Sequence, residues 1–88
     1  MKATVKITLD ETIKKSKGEL TRNKIAVQGR IRPATISELC NGKSKSISFD
    51  TLTRILDAMN EINHQNGGKK RYQIEDVLTV EYVDSQAE

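Results

Sequence analysis

Eighty-eight residues with a formal charge of +3 and only 3% aromatics amount to one domain's length with a modest aliphatic core. A single cysteine, Cys40, and a single histidine, His64, exclude an internal disulfide and leave too few ligands for a zinc site. No apolar run is long enough to span a bilayer and no signal-peptide pattern precedes Thr4, so a reducing cytoplasm is the default expectation.

The charge is unevenly distributed. Residues 1–47 carry eleven Lys and Arg against four Asp and Glu, a balance of +7; residues 48–88 carry four against eight, a balance of −4. A basic region confined to one half of a small chain is the electrostatic footprint of a nucleic-acid binder, although a solvated surface has the same composition.

In chain order, Thr4–Ile7 alternates and is β-branched, which predicts a short strand. Thr8 and Glu11 have the spacing of a capping box, opening a first helix that runs to about Lys17 and stops at Gly18. Thr21 caps a second helix, Arg22 to about Gln28, with Leu20 and Ile25 as its hydrophobic staple; Gly29 and Arg30 break it. Arg32 caps a third helix, Pro33–Asn41, in which the chain's one proline occupies the first position, where its missing N–H matters least. Ile31 and Ile36 form its staple, and Asn41-Gly42 ends it. Ser48 caps a fourth helix with Ile47 and Leu52 as staple. Phe49, Leu52, Ile55, Leu56, Met59 and Ile62 recur along it as one apolar stripe. Residues 66–71 are a loop, Ile74–Leu78 a helical turn, and Thr79–Val83 a second strand. The expected organisation is a single domain over residues 1–88. Its helical core covers 8–63, a short helix and strand cover 72–83, and residues 85–88 form a disordered tail.

The most informative stretch is Thr21–Lys43. Ile25 and Ala26 face inward on the second helix, and the small Ala26 lets two helices cross closely. Ile36, Leu39 and Cys40 recur at i, i+3 and i+4, which turns them toward the core. Arg32, Ala34, Thr35, Ser37, Glu38 and Asn41 then point outward. A solvated face more often carries Lys and Glu, whereas short, mostly uncharged side chains suit a groove.

The stretch TRNKIAVQGRIRPATISELCNGKSKSISFDTLTRILDAMN resembles the Cro/repressor (XRE-like, Cro/C1-type) helix-turn-helix family, over roughly Leu9 to Ile62. The resemblance implies a mostly α, lambda-repressor-like bundle of four to five helices, here with short terminal strands. It also implies a homodimeric, sequence-specific regulator of double-stranded DNA, a repressor of the phage or mobile-element type, whose third helix reads the major groove. By position, Arg32, Pro33, Ala34 and Glu38 fall where family members contact bases, with Thr35 and Ser37 on the same face. Arg22 falls where many members hold a phosphate-gripping Gln, and Asn41, Lys43 and Lys45 fall where the following loop meets the backbone. Lys24 and Arg30 are further phosphate candidates. Three departures stand out: many members have Gly where this chain has Arg30, Pro33 offers no hydrogen bond to a base, and Glu38 is an anion facing a polyanion.

Other candidates carry less. Cys40 reads as a small core residue, His64 as solvated, and Lys69-Lys70-Arg71 as a solvated basic loop. No nucleophile–base set, phosphate-cradling glycine loop or metal spacing is present, so neither enzyme nor cofactor is expected. The competing function is a protein-interaction module, such as an antitoxin or anti-repressor. That reading gains if Glu19 and Glu38 interrupt the basic face and an apolar patch lies elsewhere. Val5 and Ile7 should match Val80 and Tyr82 as two half-buried strand faces, pairing either within one chain or between two.

Overall fold

The computed structural model describes residues 2–44 and 46–83. It has a strand β1 (Lys2–Ile7), helices α1 (Leu9–Lys15), α2 (Arg22–Gly29), α3 (Pro33–Cys40) and α4 (Phe49–Gln65), a 3-10 turn (Ile74–Asp76), and a strand β2 (Leu78–Val83). The architecture is mostly α with one two-stranded antiparallel ribbon. Lys45 and the expected tail at 85–88 lie outside the described residues.

The helix starts follow the capping chemistry. Thr21 Oγ1 accepts from the Lys24 N–H at 3.0 Å, and Ser48 Oγ accepts from the Thr51 N–H at 3.1 Å. Each bond satisfies one of the first-turn donors that a helix cannot satisfy itself. The staple residues Leu20, Ile25, Ile36 and Leu52 are buried, while Ile31 and Ile47 are half-buried against the same core. That core joins all four helices to Tyr72 and Val77 beyond them, and α4 supplies Leu52, Ile55, Ala58, Met59 and Ile62. α2 packs on α4, and α3 packs against α2 and α1.

Four expectations are corrected here. Thr8 is not the acceptor of a capping box: its hydroxyl donates to the Glu75 carbonyl at 3.0 Å, and Glu11 pairs with Lys6 at 3.7 Å. The first helix ends at Lys15, two residues early, because Lys17 and Gly18 both take positive φ. Phe49 is 87% exposed and leaves the apolar stripe; at the first position of α4 its side chain has no preceding turn to lie over. Gly29 does not break α2 but stays helical, and Arg30 is the left-handed residue.

The ribbon forms within one chain. Ala3 pairs with Tyr82, Val5 with Val80 and Ile7 with Leu78. Tyr82 therefore opposes Ala3, and β2 starts one residue earlier than expected. The helical turn before it covers only Ile74–Asp76. Directly opposed residues share a face of an antiparallel ladder, so these three pairs line one side. Only the Ile7–Leu78 pair packs on the core. Val5, Val80 and Tyr82 are exposed, contrary to the half-buried faces expected from their alternation.

Two clamps hold the last elements to the helices. The Thr8 N–H donates to the Val77 carbonyl at 2.8 Å, and Thr12 Oγ1 donates to the Asp76 carbonyl at 2.6 Å. On the other side Asn60 brackets Tyr72, accepting from its N–H at 2.6 Å and donating to its carbonyl at 3.4 Å.

Candidate nucleic-acid interface

α2 and α3 are joined by the three residues 30–32, and the joint is built from backbone bonds. The Ile31 N–H donates to the Ala26 carbonyl at 2.9 Å and the Arg30 N–H to the Val27 carbonyl at 3.3 Å. This paired 6→1 and 5→2 arrangement needs one left-handed residue, supplied by Arg30 with φ 54. Glycine sits one position earlier for a packing reason. A Cβ on Gly29 would lie 2.9 Å from Ile31 Cδ1 and 3.1 Å from the Arg54 carbonyl oxygen. Arg54 closes the joint from α4, donating to the Arg30 carbonyl at 3.4 Å while holding Asp50 at 2.9 Å.

The far end of α3 closes by the same pattern. The Lys43 N–H donates to the Glu38 carbonyl at 2.9 Å and the Gly42 N–H to the Leu39 carbonyl at 3.2 Å, with Gly42 left-handed at φ 72. Asn41 is thus the cap of α3 and not its last helical residue. The closure fixes where the Lys43 backbone leaves the helix.

Between these two ends α3 divides as the periodicity implies. Ile36 and Leu39 are fully buried and Cys40 half-buried. Burial pushes the Cys40 thiol above its ordinary value of 9.0, with Asp10 adding to the shift and Arg22 opposing it. Arg32, Pro33, Ala34, Glu38 and Asn41 are exposed, and Thr35 and Ser37 are half-buried. The outward surface is therefore short-chained and uncharged along the helix except for Glu38, with Arg32 at one end and Lys43 at the other. Neither cation has an ion-pair partner among the described residues, and Glu38 does not pair with Arg32.

Arg22 has a partner that sequence reasoning missed. Its Nη2 lies 3.2 Å from Asp10 Oδ1 and 3.3 Å from Asn41 Oδ1, so one guanidinium ties α1, α2 and the cap of α3 together. Lys14 and Arg22 hold the Asp10 carboxyl below its ordinary 3.8, outweighing the opposing effect of partial burial. As a free phosphate ligand Arg22 is weakened, because Asp10 already neutralises part of its charge. As a strut behind α3 it is strengthened. Lys24 leans back toward the loop, its Nζ 3.4 Å from the Gly18 carbonyl. Arg30 is exposed beside the joint. Lys45, expected to be a phosphate ligand, is outside the described residues.

Of the two acids expected to interrupt a basic face, Glu19 is taken up by Asn63 Nδ2 at 2.8 Å and Tyr72 Oη at 3.3 Å, whereas Glu38 stands exposed on α3 with no ion-pair partner among the described residues. Burial, reinforced by the Glu19 carboxylate, raises the Tyr72 phenol above its ordinary value. Among the described residues no cluster of His, Cys, Asp and Glu could hold a metal ion, and no helix is long and apolar enough to cross a membrane. Comparison of the chain with protein-family models, with characterised proteins and with solved structures returned no match.

Proposed function

We propose that the chain is a sequence-specific double-stranded DNA-binding regulator, a repressor acting as a homodimer, in which α2 and α3 form a lambda-repressor-like helix-turn-helix. The observation that carries this reading is the outer face of α3. Its side chains other than Glu38 are short, its inner face is pinned by Ile36 and Leu39, and cations with no ion-pair partner among the described residues stand at both ends. An eight-residue helix is about 12 Å long, comparable to the major groove's width. In this reading Arg32, Ala34, Thr35, Ser37 and Glu38 face base edges. Arg32 is the donor suited to guanine, Glu38 the acceptor suited to a cytosine amine, and Ala34 and the Thr35 methyl the apolar contacts suited to thymine. Pro33 starts the helix and contributes shape only. Lys43, the exposed Arg30 and the backbone around Asn41 meet phosphates, while Arg22 buttresses.

Selection of bound duplexes from random DNA tests the reading directly. The expected result is an enriched motif, two copies of it set about one helical turn apart. Arg32→Ala should relax the preference at one base position and weaken binding roughly tenfold, the effect of one lost bidentate contact. Lys43→Ala should weaken all sequences alike and lower the salt slope by about 1. If neither change affects retention on DNA at low salt, α3 does not read the groove.

A second reading rests on the exposed apolar residues of the ribbon. They fit a protein-interaction module, such as an antitoxin or anti-repressor, whose α3 face is not used for DNA. Absence of any enriched motif in the selection would favour it.

A further inference from the structure

Residues 1–47 hold four acids, Asp10, Glu11, Glu19 and Glu38, among eleven cations. Glu11 is spent on Lys6, Glu19 on Asn63 and Tyr72, and Glu38 is exposed on α3. Asp10 alone stands against the framework behind α3. Its side chain is only 25% exposed, so solvent screens its contacts less than those of a surface pair. Its two oxygens are divided between two cations: Oδ1 lies 3.2 Å from Arg22 Nη2, and Oδ2 lies 3.2 Å from Lys14 Nζ. An acid beside a surface that meets a polyanion lowers affinity. The geometry shows what it secures in return.

Arg22 Nη2 carries two hydrogens, and its two acceptors are Asp10 Oδ1 at 3.2 Å and Asn41 Oδ1 at 3.3 Å. A guanidinium donates and never accepts, so the oxygen of the Asn41 amide must face Arg22. The amide nitrogen is then turned away from Arg22 with two hydrogens to give. Asn41 is exposed at the cap of α3. The end of the helix therefore presents a neutral donor in a set place, beside the charged one of Lys43.

Neutral and charged donors act differently on a duplex. A free cation releases counterions from any phosphate and strengthens binding to every sequence alike. A neutral donor held in one place adds nothing to the salt dependence, but it fixes the register in which base edges are met. Released, Arg22 is a cation of the first kind; held, it is the tether of a donor of the second kind. We propose that Asp10 determines sequence preference: by holding Arg22 on Asn41 it exchanges sequence-independent grip for a fixed register. Asp10 touches no DNA and acts as a positioning residue through Arg22. The proposal rests on the DNA reading.

Equilibrium binding to two duplexes tests it: the one enriched by selection and a random-sequence duplex of equal length, from about 50 to 200 mM salt. Asp10→Asn keeps the shape and removes the charge. It should steepen the salt slope by about 1 and tighten the random duplex about three- to tenfold near 0.1 M salt, the effect of one more neutralised phosphate. The preference for the enriched duplex should fall at least about threefold. Loss of a merely structural contact would weaken binding without steepening the slope. Glu11→Gln removes the same charge one residue along and should leave slope and preference unchanged. Arg22→Gln should keep the wild-type slope, and combined with Asp10→Asn it should cancel the steepening. Asn41→Ala should weaken the enriched duplex about fivefold, the effect of one lost hydrogen bond, at unchanged slope. Far-UV circular dichroism shows which variants fold; if Asp10→Asn does not, the Arg22→Gln and Asn41→Ala slopes still decide. A slope lowered by about 1 in Arg22→Gln overturns the proposal, because Arg22 would then already grip a phosphate. So does a folded Asp10→Asn protein with slope and preference unchanged. A wild-type chain that prefers no duplex over random sequence removes the DNA reading itself. One that does prefer a duplex, with variants that behave in either overturning way, removes this proposal alone.

Discussion

The C-terminal ends of α2 and α3 close with the same hydrogen bonds and place glycine differently. After α3, Gly42 itself takes the left-handed conformation, and a Cβ there would meet nothing within 4 Å. Before α3, Arg30 takes that conformation, and the glycine one residue earlier serves a different need: α4 and Ile31 leave no room for a side chain. One glycine answers a backbone requirement and the other a packing requirement. The comparison teaches that the joint before α3 is set by contact with α4, whereas the far end is set locally.

Gly29→Ala should break that comparison most strongly. The new methyl has backbone at 3.1 Å on one side, which cannot swing away, so a loss of about 1–3 kcal/mol is expected in denaturant melts. The same change at Gly42 should cost only about 1 kcal/mol, because just the left-handed backbone is strained. If the two losses were equal, the distinction between packing and backbone would fail. Arg30→Gly sharpens the contrast from the other side: it relieves a left-handed side chain and should leave stability unchanged or raise it by up to about 1 kcal/mol. A clear loss there would mean that the Arg30 side chain holds the joint.

The smallest expected effect is one of pH. The Asp10 carboxyl is lowered in the fold, so its contribution to stability is complete above its ordinary 3.8 and is lost as pH falls through the lower folded value. Asp10→Asn should flatten that acid limb, measured as the midpoint of thermal melts between about pH 2 and pH 5, the span over which a lowered carboxylate titrates. An unchanged acid limb would mean that Lys14 and Arg22 do not hold the carboxylate in solution.

Much of the fold was legible because its signals are local. Thr21 and Ser48 announce helices through their own side chains, Pro33 starts α3 by its fixed φ, and the staples mark which way each chain turns inward. The inward set of α3 followed from spacing alone. What escaped was decided by distant residues. Nothing near Thr8 says that its hydroxyl will prefer the Glu75 carbonyl to the first turn of its own helix. Arg22 reads as a solvent-facing cation until the fold brings Asp10 and Asn41 to it. Gly29 reads as a helix breaker unless the approach of Arg54 is known. Phe49 met the apolar periodicity but lies at a helix end, where periodicity no longer implies burial. In the ribbon, alternation correctly separated the two faces, but whether a face is covered depends on what lies opposite it.

The bonds from Thr8 and Thr12 to residues 75–77 also set an order of events during synthesis. A ribosome adding roughly 5–20 residues per second needs several seconds to get from Thr8 to Val77, whereas single helices form in about a microsecond. Helices α1 to α4 can therefore collapse on one another while β1 still has no strand to pair with. The fastening arrives last, and until it does the backbone edge of β1 that β2 will cover is open to any other nascent chain nearby.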